Sequence, residues 1–141
     1  MSVYLALDPV SAAVYSTLNV SALTTLAPGG VCDDVAQSTG YPFVLYEVSE
    51  RHLGGLGTKP GTNRLMEVDL RLHVFSQYRG FIEGQQVMAK AIELLKDAPA
   101  VTGYSSWAIF HDETIPLGDE EVSGIKVKEL VGMFRLFVQE V

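Results

Sequence analysis

The histidines, the cysteine and the acids beside them are the side chains best suited to chemistry, and their spacing limits what they can do. His111, Asp112 and Glu113 are consecutive. Neighbours in an extended chain point to opposite faces, so these three do not chelate one metal ion together. Asp69, Arg71 and His73 recur at period two and share a face, which makes Asp69 with His73 the better geometric pair. A polar row turned to solvent or to an interface accounts for them more simply than a site does. Cys32 with a distant histidine could make a thiol nucleophile. No local signature accompanies it, and a lone cysteine in a strand reads as a small buried hydrophobe. As the single cysteine it allows neither an intrachain disulfide nor a thiolate zinc cluster, which suits a reducing cytoplasm. Residues 54–62 have the glycines of a phosphate loop but not its sequel. Lys59 precedes Pro60, and an alternating strand follows where a helix N-terminus would have to face the phosphate. These residues therefore point to no catalytic, cofactor or metal site.

The elements that position them read as α+β, in the order αβββαββ. Asp8 before Pro9 opens a helix, and Val10, Ala13, Val14, Thr17 and Leu18 form its apolar stripe. Residues 20–26 add a further turn before Pro28, Gly29 and Gly30 stop it. Short strands follow at 31–35 and 41–49. Residues 51–62 hold Gly54, Gly55, Gly57, Pro60 and Gly61 and form a long loop. Residues 65–76 alternate, with Met66, Val68, Leu70, Leu72 and Val74 on one face and Glu67, Asp69, Arg71 and His73 on the other. Residues 81–97 form the strongest helix, its face made of Phe81, Gly84, Met88, Ala91, Ile92 and Leu95. A strand at 106–115, an acidic turn at 117–121 and a long strand at 124–139 complete the chain. The expectation is one domain over 1–141, with a mostly antiparallel sheet of about four to five strands and two main helices packed on it.

Charge and hydropathy narrow the function classes. Hydrophobic residues make up 48% of the 141-residue chain and charged residues 19%, with mean hydropathy +0.20. That leans apolar for a small domain and hints at surface covered by partners. The net charge of -7 argues against gripping nucleic acid phosphates. It suits a passage through which nucleic acid slides without sticking. No basic start of a signal peptide precedes Arg51, and no apolar run reaches the roughly 18 residues of a membrane span, so a soluble, unexported chain is expected.

Three stretches together carry a family resemblance. Val31-Cys32-Asp33-Asp34-Val35-Ala36-Gln37, followed by Tyr41-Pro42-Phe43-Val44, resembles the strand, turn and proline-led second strand of phage tail-completion proteins. That family includes the tail-terminator and head-to-tail joining proteins of long-tailed bacteriophages. Val74-Phe75-Ser76, then Gly80 and Glu83 opening a helix to Leu95, is similar to its second signature, and 128–139 to its closing strand. The resemblance extends from about Val10 to Gln139. It implies an α+β virion subunit without enzymatic activity, in a sixfold ring at the head-proximal end of the tail tube. Such a ring stops tube polymerisation and presents a docking face to the head connector. Its partners would be copies of itself, the tail-tube protein and the head-connector protein, with DNA passing through unspecifically. Assembly would take place in the host cytoplasm.

Contact residues follow from pattern and charge. Val127, Val131, Met133 and Phe137 form a second apolar face on the last strand, left over after one core is filled. Arg51, Lys59 and Arg64 form a basic arm with Leu53 and Leu56, without an acid between 51 and 64. Asp112, Glu113, Asp119, Glu120 and Glu121 form an acidic run without a base between them. Two ordinary solvated loops explain the charges, and so does a complementary pair meeting across a subunit boundary. Two other functions stay open at this point: a minor head-connector or tail-tube component, and a small hydrolase or ligand-binding domain using His73, Asp69 and Cys32.

Overall fold

A computed structural model describes residues 7–34, 40–52, 65–78, 80–122 and 124–140. Helix α1 (Leu7–Leu18) and a single turn α2 (Ser21–Thr24) precede strands β1 (Val31–Cys32), β2 (Phe43–His52) and β3 (Leu65–Ser76). Helix α3 (Ile82–Leu94) then leads to the long strands β4 (Tyr104–Val122) and β5 (Ile125–Glu140). The five strands lie in the order β1-β2-β3-β5-β4. Among the described residues only the short β1–β2 pair is parallel. The chain is α+β with a mostly antiparallel sheet.

Alternation decides which face of the sheet is dry. In β3 the even positions Met66, Val68, Leu70, Leu72 and Val74 are at most 1% exposed, while Arg71 is exposed and the other odd positions half-buried. The even-numbered side chains belong to one buried cluster with Val10, Val14 and Leu18 of α1 and Val87, Met88 and Ala91 of α3. Burying each such Val or Leu contributes about 1.5–3 kcal/mol, so this layer supplies the main stabilisation. Two glycines allow close approach. A Cβ on Gly84 would stand 3.0 Å from Leu130 Cδ1, and one on Gly132 only 2.7 Å from Met88 Sδ. Among the described residues no helix is long and apolar enough to cross a membrane.

Four expectations about the elements need correction. The strand expected at 31–35 spans two residues, and the extra turn at 20–26 is the separate helix α2. The strand expected at 106–115 starts at Tyr104. The acidic turn expected at 117–121 is strand, because β4 runs unbroken to Val122. In the register of β4 with β5, Asp119 stands opposite Lys128 and Glu121 opposite Lys126. The reversal comes later, at Gly124, whose φ of 80° lies in the left-handed region that glycine adopts freely.

Candidate functional site: the polar face of the sheet

The odd-numbered face of β2, β3 and β5 carries the polar chemistry of the molecule. On β4 the side chains do not alternate simply, because the register shifts between Ser106 and Ala108, between His111 and Glu113, and between Pro116 and Gly118. Each shift is a bulge that adds one residue and re-aims its neighbours. The middle bulge inserts Asp112, which stays on the face of Phe110 and Arg135, and brings Glu113, opposite Met133, onto that same face.

Two rows of charge cross the strands on this face. In the first, Arg51 of β2 pairs with Glu67 of β3 at 3.3 Å and with Asp69 at 3.4 Å. Glu67 lies 3.9 Å from Arg135 of β5, and Arg135 donates to Asp112 of β4 from Nε at 2.8 Å and from Nη2 at 3.1 Å. Signs alternate across four strands. The hydrogen bond and charge of Asp112 push the Arg135 pKa further up. Arg135 also lies over the rings of Phe110 and Phe137, at 5.5 and 6.0 Å from their centroids. In the second row His73 of β3 stands between Glu47 of β2 and Glu129 of β5, touching one with each ring nitrogen. A cleft of about 340 Å3 opens beside the first row, lined by Ser49, Asp69, Arg71, Asp112, Met133 and Arg135 among others.

The expected contact residues are distributed unevenly over this surface. Arg51 is well exposed but takes its acids from its own sheet, which corrects the expectation that it has no local acidic partner. Leu53, Leu56, Lys59 and Arg64 lie outside the described residues. Asp112 is paired within the chain, Glu113 is exposed opposite Met133, and Glu121 is exposed opposite Lys126. Asp119 and Glu120 lie in β4 opposite Lys128 and Val127. The second apolar face of β5 is smaller than expected. Val127 and Val131 are already 2% and 4% exposed within one chain, leaving Met133 and Phe137 half-buried. The structure adds Phe110, 48% exposed and edge-on to Phe137 at 6.0 Å. Simple alternation through 106–115 could not assign its face, because the bulges interrupt it.

The residues weighed for hydrolysis do not converge. Cys32 in β1 is separated from His73 in β3 by the whole of β2, about 9–10 Å at the usual strand spacing. Its thiol is 3% exposed and contacts the Val44 carbonyl at 3.6 Å. Burial pushes its pKa up, away from the reactive thiolate. Asp69 lies four residues from His73 along β3, about 13 Å away, and is next to Arg51 instead. Both ring nitrogens of His73 already meet carboxylates, so neither stands free as a base. Among the described residues no group of three or more His, Cys, Asp or Glu side chains could hold a metal ion.

Comparison with known proteins bears on the fold and the family. The profile of the family described as Tail completion protein gp17 matches residues 12–125, most of the chain. No curated protein sequence matches. Among solved structures, a chain of the virion of a native gene transfer agent (GTA) particle superposes with a TM-score of 0.75. The match covers 97% of this chain and 99% of that one at 18% identity, a likeness of fold.

Proposed function

The chain belongs to the tail completion protein gp17 family, and we propose that it is a subunit of a sixfold ring at the head-proximal end of a phage tail tube. There it stops tube polymerisation and joins the tail to the head. The family match over residues 12–125 carries this reading. The fold shared with a chain of a gene transfer agent virion supports it at the level of architecture. In this role the protein is a single-domain, non-enzymatic virion part assembled in the host cytoplasm. It contacts copies of itself, the tail-tube protein and the head connector.

Physical features agree with that role. A net charge of -7 keeps DNA from adhering as it passes through the ring. A ring of identical subunits needs a heterologous contact in which two different patches meet, of about 800 Å² per partner. Arg135 between Phe110 and Phe137 has the composition of an interface centre, where arginine and aromatic side chains dominate binding. Half-buried Met133 extends that patch.

Electron microscopy of particles assembled without this protein tests the proposal. The expected result is tails of uncontrolled length, separated from heads, with normal joining restored when the protein is returned. Tails of normal length attached to heads in its absence would overturn it. So would a finished particle holding a single copy without rotational neighbours, which would favour a minor connector or tube component.

A further inference from the structure

We infer that Tyr78 and the outer ridge of α3 form the second half of the subunit contact, docking on the Phe110–Arg135 patch of the next copy. The inference rests on the ring reading above, which requires two unlike patches to meet head to tail. Phe110, Phe137 and Met133 make the first patch, on the polar face of the sheet. The second has to lie on another side of the same subunit, so that the contact repeats around the ring. The helices cover the opposite face of the sheet, and their outer sides point away from Phe110.

The ridge of α3 is apolar where a solvent-facing helix ordinarily carries charge. Ile82 is 60% exposed, more than any other large apolar side chain among the described residues. Tyr78, just ahead of the helix, is 52% exposed. Helical spacing continues the ridge through Gln85, Gln86 and Ala89, all exposed and uncharged. The first exposed charge along it is Glu93, one turn further on, which Lys90 meets at 3.1 Å. Buried neighbours hold the Tyr78–Ile82 knob in place. Ser76, 1% exposed, donates to Glu83 at 2.6 Å and accepts from the Tyr78 N–H at 3.1 Å. Gly84 brings the first turn of α3 close against Leu130, and Phe81 lies 5.1 Å from Lys128 Nζ. An apolar knob fixed in this way loses little freedom when it docks.

Charge selects the occupant. Around Phe110 and Phe137, Glu67, Asp69, Asp112 and Glu113 outnumber Arg71 and Arg135. Two such patches repel each other, which disfavours a twofold contact of this face with itself. The outer side of α1 offers no complement, since Asp8 is its only charged residue. Among the described residues every lysine lies on the α3 side of the sheet. Lys90 is on the helix and Lys96 follows it, while Lys126 and Lys128 sit at even positions of β5. They match the acids on that side, Glu83, Glu93, Asp97 and Glu121, one for one. The α3 side is therefore the surface of a second copy that can approach the acidic patch without repulsion.

Crosslinking in assembled particles tests the contact. In a Cys32→Ala background, one population of subunits carries Ile82→Cys and another carries Met133→Cys. Assembled as a mixture and treated with a short bis-maleimide, they should give a covalent product of two copies. Either population alone should give none. If one of these cysteines stops assembly, Gln86→Cys with Glu113→Cys replaces the pair at the exposed rim. Ile82→Asp should fold with a Tm close to that of the wild type, because the side chain is exposed and an acid suits a helix start. Its particles should have overlong tails, whereas Tyr15→Asp on α1 should leave tails normal. Normal tails with Ile82→Asp, or normal particles that give no crosslinked product, would overturn this contact. The ring reading survives that result if omitting the protein still gives overlong tails. Normal tails without the protein would overturn the ring reading and this contact with it.

Discussion

Arg135 grips both carboxylate oxygens of Asp112 although the two residues are not register partners, because Asp112 is the extra residue of a β-bulge. The bulge thus completes the charge row Arg51–Glu67–Arg135–Asp112 at the outermost strand. Both side chains remain more than a third exposed, so solvent and salt screen the pair. Asp112→Asn should lower Tm only slightly, and a double-mutant cycle with Arg135→Gln should return a small coupling that fades at high salt. A large, salt-independent coupling would show that the row acts as a buried network.

Two glycines should respond very differently to alanine. At Gly29 a new Cβ would stand 2.0 Å from the carbonyl oxygen of Gly40, a backbone atom without room to retreat. At Gly132 the nearest atoms belong to the end of Met88, a side chain that re-packs readily. Gly132→Ala should cost about 1–3 kcal/mol and be partly rescued by shortening Met88. Gly29→Ala should cost more and find no rescue in Met88. Chemical denaturation of the single and double variants measures both.

Much of the scaffold was legible in the sequence because its signals are local. The alternation of Leu65–Ser76 matches the burial of β3 residue by residue, and the stripe Val10, Val14, Leu18 is the buried face of α1. Register is not local. The Arg51–Glu67 pair cannot be read before two strands are placed side by side, nor the bridge of His73 to Glu47 and Glu129 before three are. The bulges compound this, since each reverses the in–out pattern of a strand that looks regular. The acidic stretch 117–121 misled for a related reason. It resembles a turn until Lys126 and Lys128 are seen opposite it.

Cys32 should be unreactive in the native fold and should limit stability in alkali. Burial raises its pKa, as it does for the Tyr46 phenol. Above the ordinary thiol range the unfolded chain loses this proton while the folded chain keeps it. The folded state then binds more protons, so stability falls as pH rises. Native protein should react with a thiol reagent far more slowly than denatured protein. Cys32→Ala should flatten part of the alkaline loss of Tm. Rapid native labelling would show that the thiol is accessible after all.

The assembly reading is best tested where surface and core separate on one strand pair. Val131 and Phe137 share a face of β5, yet Val131 is 4% exposed whereas Phe137 meets Phe110, which is 48% exposed on β4. A charge at Val131 would be buried within the subunit without a partner, and Val131→Asp should cost several kcal/mol and compromise folding. A charge at Phe110 reaches water in the free subunit. It would be buried only when a neighbour covers the patch around Arg135 and Met133. Phe110→Asp should therefore give a folded subunit with a Tm close to that of the wild type, which circular dichroism verifies first. In particles supplied with this variant, ring closure should fail, leaving overlong tails detached from heads. Truncation by Phe110→Ala should give a partial defect, because aromatic anchors at interface centres contribute about 2 kcal/mol or more each. If Phe110→Asp folds and still yields normal tails, the subunit contact does not lie on this face of the sheet.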